Sequence, residues 1–174
     1  MQAVYDRASR VRLAIFDVDG VLTDGSLYLT DGGEEIKAFN SLDGHGMRML
    51  RESGVDIALI TGRTSRCVEL RAINLGIDLV FQGVADKAQA YFALLASRNL
   101  SAEVTAYMGD DVVDLPVLRR CGLALTVPAA PLSVKQHVHY VTQKDGGRGA
   151  AREVCELIMH AQGTLEPRIR TYLE

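Results

Sequence analysis

Residues 11–23 read Val-Arg-Leu-Ala-Ile-Phe-Asp-Val-Asp-Gly-Val-Leu-Thr, and this stretch decides the fold. Val11 to Phe16 is an apolar run broken only by Arg12, too short for a core helix, and it stops on the acidic pair Asp17 and Asp19. A short apolar run closed by polar residues reads as a strand buried on both faces, the kind found in parallel sheets. The same pattern recurs downstream. Val55 to Ile60 stops at Thr61, and Val104 to Met108 stops at Gly109-Asp110-Asp111. Leu79 to Phe81, Leu123 to Val127 and Tyr140-Val141 are shorter candidates.

Helical patterns lie between these strands. Met47 to Ser53, Thr64 to Leu75 and Asp114 to Arg120 each run to a glycine, Gly54, Gly76 and Gly122, which suits the left-handed position after a helix. Lys87 to Ser97 places Ala88, Tyr91, Phe92 and Leu95 on one face, and Ala150 to Ala161 does so with Val154, Leu157, Ile158 and Ala161. This alternation predicts an α/β fold: a Rossmann-like parallel sheet with helices on both faces and its chemistry at the carboxyl ends of the strands. One segment breaks the rhythm. Leu27 to Thr30 and Ile36 to Phe39 flank Asp31-Gly32-Gly33-Glu34 and read as a β-hairpin flap within about 24–39. The whole of 1–174 is read as one domain, with a patternless, mobile tail over 163–174.

Bulk properties narrow the partners. The chain has 174 residues, 48% of them hydrophobic, and a net charge of -3 from interspersed acids and bases. That excludes an electrostatic footprint for nucleic acid or an anionic membrane and favours small molecules or other proteins. The 3 cysteines, Cys67, Cys121 and Cys155, are widely spaced in apolar segments, so buried thiols are expected rather than disulfides or a zinc site. The N-terminal stretch lacks the apolar core of a signal peptide and no run is long enough to span a bilayer, so a cytoplasmic protein is expected.

The acids at the strand ends carry the chemistry. Asp17 and Asp19, two apart where a strand leaves its sheet, can aim both carboxylates into one crevice. Such a pair needs a cation, and a hard divalent ion with oxygen ligands is the natural one. Asp110, Asp111 and Asp114 can add oxygens, Lys87 can offset phosphate charge, and Thr61 with the amides of Gly62 and Arg63 at a helix N-terminus makes an anion site.

In order, these are Asp-x-Asp-Gly-Val-Leu-Thr (17–23), Thr-Gly-Arg (61–63), Lys87 and Gly-Asp-Asp-x-x-Asp (109–114). The set resembles the four motifs of the haloacid dehalogenase superfamily of phosphatases. The resemblance implies Asp17 as nucleophile, Asp19 as general acid and base, Thr61 and Lys87 as phosphate holders, and Mg²⁺ held by Asp17, the main-chain carbonyl of Asp19, and Asp110. Asp111 and Asp114 are open to three readings: ion ligands, groups that orient Asp110, Lys87 or metal-bound water, or solvated loop residues. The chain is closer still to the 3-deoxy-D-manno-octulosonate 8-phosphate phosphatases of lipopolysaccharide biosynthesis, through Thr-Asp-Gly-Ser-Leu-Tyr (23–28), Glu-Glu-Ile-Lys-Ala-Phe-Asn (34–40), Asp-Gly-His-Gly (43–46) and Gly-Gly-Arg-Gly-Ala-Ala-Arg-Glu-Val-Cys-Glu-Leu (146–157).

Candidate substrate contacts are Gly62, Arg63, Arg71, His45 and Arg148. Arg63 and Arg71 suit a sugar carboxylate, His45 sits between two glycines near the expected entrance, and Arg148 lies in a glycine run that fits neither a dinucleotide nor a P-loop pattern. His137 and His139 have no third ligand nearby and read as surface residues. Competing readings are a phosphatase for a nine-carbon sialic-acid-type sugar 9-phosphate, a non-catalytic oligomerisation or regulatory relative, and a phosphomutase or dehalogenase on the same fold. Too few residues separate Asp17 from Thr61, or Lys87 from Asp110, to house a cap domain. A homo-oligomer is therefore expected, by resemblance a tetramer, in which one subunit covers its neighbour's site.

Overall fold

The structure, a computed structural model, describes residues 1–173. In chain order it contains α1 (Gln2–Ala8), β1 (Leu13–Phe16), β2 (Tyr28–Leu29), β3 (Glu35–Ile36), α2 (Ser41–Glu52), β4 (Asp56–Ile60), α3 (Arg66–Leu75), β5 (Leu79–Phe81), α4 (Lys87–Arg98), β6 (Thr105–Met108), α5 (Leu115–Leu118), β7 (Leu123–Thr126), α6 (Leu132–Lys135), β8 (Tyr140–Val141), α7 (Ala150–Ala161) and α8 (Leu165–Arg170). Six strands form one parallel sheet in the order β5-β4-β1-β6-β7-β8. Helices α1, α2 and α7 pack together on it as one layer, and α4 with α5 as another.

Strand β1 lies at the centre because every one of its residues is apolar and buried. Its register pairs Phe16 with Leu59 on one side and with Met108 on the other. The chain builds outward from β1 to β4 and β5, then crosses to β6, β7 and β8, so the strand order reverses beside β1. A crevice opens at such a switch point, at the carboxyl ends of the strands. The register therefore delivers Asp17, Thr61 and Gly109-Asp110 side by side at one edge.

The hairpin is present but short. Tyr28 pairs with Ile36 and Leu29 with Glu35, and its turn closes through Thr30 N donating to Glu34 O at 3.0 Å. Leu27, Tyr28, Leu29 and Ile36 are all at least half exposed (52%, 50%, 64% and 57%). A two-stranded ribbon with so few hydrogen bonds depends on what it packs against.

Several elements depart from the sequence reading. Helix α2 starts at Ser41, six residues before the expected Met47, because Gly44 and Gly46 mask its periodicity. Gly46 is there for space, and Gly44 leaves room for the end of a neighbouring arginine. A Cβ on Gly46 would lie 2.7 Å from the Arg152 side chain, and one on Gly44 only 2.1 Å from that of Arg71. Gly122 is not a left-handed helix end; a Cβ there would sit 2.1 Å from the Glu103 carbonyl, so the constraint is close approach. The expected helix over 114–120 is a 3-10 turn at Val112–Asp114 followed by α5. Helices α1 and α6 went unread. The tail expected to lack a pattern holds α8, whose Leu165 and Ile169 pack on the core; six residues are too few for a periodicity to show. Cys121 and Cys155 are buried free thiols as expected, whereas Cys67 is only partly buried.

Candidate active site

The first loop beyond β1 is bent around its acids. Gly20 adopts a positive φ of 85°, and a Cβ there would fall 2.0 Å from the Asp110 carboxylate, so only glycine fits the Asp-x-Asp-Gly pattern. Thr23 closes the bend, its Oγ1 accepting from Gly20 N at 3.3 Å and Gly25 N at 3.2 Å. Asp17 continues the sheet, N donating to Met108 O at 2.9 Å, while its Oδ1 accepts from Val18 N at 2.7 Å.

Lys87, the first residue of α4, reaches the other oxygen of Asp17 at 2.7 Å and Asp114 Oδ1 at 2.6 Å. Asp86 places it by capping that helix, accepting from Gln89 N at 3.0 Å. All three side chains are buried, Asp114 completely. Stranding a buried charge with no partner costs roughly 3–5 kcal/mol, and Lys87 is protected from that because it has two carboxylate partners, so the triad is a structural tie as well as a charge device. Burial disfavours the charge on Lys87, but Asp17 and Asp114 outweigh it and raise its pKa.

Asp114 is fully committed. Its Oδ1 accepts from Lys87 and from Tyr107 Oη at 2.7 Å, and its Oδ2 from the amides of Asp110 at 3.1 Å and Asp111 at 3.2 Å. Although one oxygen each of Asp17, Asp110 and Asp114 lies within 4.8 Å of the others, Asp114 has no lone pair to spare for an ion. It orients Lys87 and the Asp110 loop instead. Tyr107 is a partner the sequence reading missed, since a buried tyrosine in a strand reads as core.

The carboxylates left facing the crevice are Asp17 and Asp110. Burial, then the charge of Asp114, lifts the Asp17 carboxyl to about 6. Burial, then Asp17 and Asp114, lifts Asp110 to about 7. Both acids are lifted by burial and by neighbouring carboxylates despite the charge of Lys87, so an added cation would favour their ionised forms, and the donor set fits a divalent ion with oxygen ligands.

Asp19 lines the same cleft but has other partners. Its carboxylate ion-pairs with Lys37 of the hairpin and lies 3.9 Å from Arg63 Nε, leaving only its main-chain carbonyl to offer to an ion. Lys37 also reaches Glu35 at 3.2 Å, with its side chain only 2% exposed. Arg63 binds the same Glu35 at 3.0 Å. Lys37 is a second residue the sequence reading missed, because a lone lysine on a ribbon reads as a solvated charge.

Thr61 is buried, its N bonded to Phe81 O at 2.9 Å, and Gly83 N ties Arg63 O at 3.2 Å. Gly62 and Arg63 line the cleft but do not begin a helix as expected. Ser65 takes the N-cap position with extended backbone, so α3 starts at Arg66. The resulting cleft, about 330 Å³, is lined by Asp17, Asp19, Gly20, Thr61, Gly62, Arg63, Lys87 and Asp110, with Leu27 and Val113 at its rim.

Three expected substrate contacts stand outside this cleft. Arg71 donates to Asn40 O at 3.0 Å and covers the Phe39 ring at 5.8 Å. His45 meets the Tyr172 ring edge at 5.5 Å. Arg148 lines a separate hollow of about 370 Å³ with Leu42 and Tyr140, and its nearest acid is Asp24 at 3.5 Å. Within one chain these side chains are held by α2, α3 and the α7 entrance, not by the strand ends. His137 and His139 are exposed, and His139 Nδ1 accepts from Ala124 N at 2.9 Å.

Comparison with known proteins supplies the remaining findings. The haloacid dehalogenase-like hydrolase family matches residues 76–154. A Yersinia pestis protein named 3-deoxy-D-manno-octulosonate 8-phosphate phosphatase KdsC is 49% identical over 163 residues, covering 94% of this chain and 87% of the relative. The crystal structure of a probable YrbI family phosphatase from Pseudomonas syringae superimposes with a TM-score of 0.99 at 52% identity, over 100% of this chain and 99% of that one. The Moraxella catarrhalis 3-deoxy-D-manno-octulosonate 8-phosphate phosphatase, solved with magnesium ion, phosphate ion and a KDO molecule, superimposes with a TM-score of 0.97 at 40% identity over 99% of each chain.

Proposed function

We propose, from the fact that this chain belongs to the 3-deoxy-D-manno-octulosonate 8-phosphate phosphatases among the haloacid dehalogenase-like hydrolases, that it hydrolyses the phosphomonoester of that eight-carbon sugar acid through an aspartyl-phosphate on Asp17. The observation that carries this reading is the Asp17–Lys87–Asp114 tie beside Asp110 at the β1/β6 switch point. A carboxylate held at one oxygen by Val18 N and steered by Lys87 is positioned as a nucleophile. Lys87, Thr61 and the amides of Gly62 and Arg63 receive the phosphoryl oxygens. Asp19 gives a proton to the departing sugar oxygen, then takes one from the water that hydrolyses the acyl phosphate. Mg²⁺, held by Asp17, Asp110 and the Asp19 carbonyl, offsets the phosphate charge and the repulsion of the two acids when bound.

Arg63 is the cationic side chain that reaches the rim of the cleft and is the proposed contact for the sugar carboxylate. The product belongs to lipopolysaccharide biosynthesis, and three free thiols suit the reducing cytoplasm. No helix among the described residues is long and apolar enough to cross a membrane. A panel of phosphomonoesters, run with Mg²⁺ and with excess chelator, tests this assignment. The eight-carbon substrate should show the highest kcat/KM, and chelation should abolish turnover. Equal values across the panel would mean a generalist, a preference for a sialic acid 9-phosphate would move the assignment to that activity, and full activity in chelator would remove the ion.

The proposal extends to assembly. Among the described residues no cap covers the cleft, and four apolar side chains of the hairpin stand exposed beside it, which supports a closed homo-oligomer, by resemblance a tetramer, whose hairpins pack together and cover neighbouring sites. Sedimentation at assay concentration should find that oligomer; an active, selective monomer would contradict it.

A further inference from the structure

Two of the sequence blocks quoted above, 43–46 and 146–157, contribute nothing to the cleft, yet they meet each other behind it. Asp43 of α2 is 2% exposed. Its carboxylate accepts from Gly149 N at 3.2 Å and Arg152 N at 2.8 Å, and so caps the start of α7 from a different helix. Gly46 lets the two helices approach that closely. A second strut runs beside it: Asn40 accepts from Leu42 N at 2.8 Å through Oδ1 and donates to Gly147 O at 3.2 Å through Nδ2.

What these struts hold is a wedge against the catalytic loop. Gly147 N donates to Val21 O at 2.9 Å. A Cβ on Gly146 would lie 1.8 Å from Gly20 O, and one on Gly147, at φ 63°, 2.6 Å from the Thr23 backbone. The 146–147 backbone is thus in van der Waals contact with the bend whose front face carries Asp17 and Asp19. The bend is tied internally through Val18 O, which accepts from the amides of Val21, Leu22 and Thr23, and through Thr23 Oγ1, and the wedge adds a tie from outside it at Val21 O.

We propose that Asp43 is a positioning residue: by clamping the N-terminus of α7 it fixes the Gly146-Gly147 wedge, which holds the 17–25 loop in the geometry the reaction needs. Asp43 touches neither substrate nor reacting atoms. The inference rests on the phosphatase reading for its kinetic consequence, but the loop contact itself does not.

Asp43→Asn replaces one accepting oxygen by an amide that faces backbone N–H donors, so the clamp opens without loss of volume. Displacement of a catalytic loop by even an ångström lowers turnover by roughly 10- to 100-fold. The expected result is a kcat loss of that size with KM changed less than about threefold, and faster amide exchange across residues 18–25. Asn40→Ser keeps a good helix cap but removes the bond to Gly147, and folds regardless of how Asp43→Asn behaves; it should show the same pattern more weakly. Met159→Ala, a buried change in α7 away from the wedge, supplies a destabilised control that should keep kcat and loop protection. Wild-type kcat in Asn40→Ser together with unchanged exchange at 18–25 overturns the proposal, as does equal loss in Met159→Ala. If the wild-type protein turns over no phosphomonoester, the phosphatase reading fails and the exchange measurement alone decides the brace.

Discussion

Asp17→Asn will reduce kcat by roughly 10⁴-fold or more while leaving a folded protein. The amide is nearly isosteric, so β1 and its register remain, but it cannot attack phosphorus and it removes the negative charge opposite Lys87. Stability should survive, because the Asp17 carboxyl is lifted to about 6 chiefly by burial. A carboxyl with a raised folded-state pKa costs stability when ionised at neutral pH, and the neutral amide is spared that cost. Lys87 retains Asp114 at 2.6 Å as its partner. Steady-state assays beside a thermal melt check both halves. Undiminished turnover would take Asp17 out of the reaction, and an unfolded variant would show that the charge pair is chiefly structural.

Asp19→Asn should lower kcat on a sugar phosphate by about 10²–10⁴-fold, since protonation of the leaving oxygen and activation of water both pass through this carboxylate. Its setting makes the variant informative. The side chain lies off the ion-binding acids, ion-paired to Lys37 and near Arg63, so the substitution removes proton transfer without altering the Asp17–Lys87–Asp114 tie. Lys37 keeps Glu35 at 3.2 Å, which should hold the hairpin in place. With an aryl phosphate, whose leaving group needs no proton, formation of the acyl phosphate should recover more than its hydrolysis. The adduct should then accumulate in rapid-quench measurements. A loss of less than tenfold on the sugar phosphate would point to another acid.

The sheet was legible because each central strand is a short, largely apolar run followed within two residues by an acid or hydroxyl residue. Asp17, Thr61 and Asp110 follow from those ends and Lys87 from the start of a helix, and the structure brings all of them into one cleft. What stayed hidden has physical causes. Helix α2 was truncated in the reading because Gly44 and Gly46, the latter set by close approach to Arg152, erase the helical pattern. Lys37 is two residues from Glu35 on a ribbon, and nothing local distinguishes a solvated lysine from one whose side chain the fold buries against Asp19. The sequence left Asp114 open between ion ligand and orienting group, because its four hydrogen bonds depend on Lys87, Tyr107 and backbone amides that no spacing reveals. His45, Arg71 and Arg148 resemble ligands in a linear reading because they flank glycines or lie on helices near the motifs. The fold places them beside Tyr172, Asn40 and Asp24 instead.

The central claim is that the phosphoryl group passes through Asp17, and a rapid acid quench during turnover tests it most directly. Protein mixed with excess substrate and Mg²⁺, quenched within the first turnovers and mapped by peptide mass spectrometry, should carry one acid-stable, hydroxylamine-sensitive phosphoryl group on the peptide containing Asp17. That adduct should be absent from Asp17→Asn. Continuous phosphate release from that variant, or an adduct on any other residue, would contradict the account.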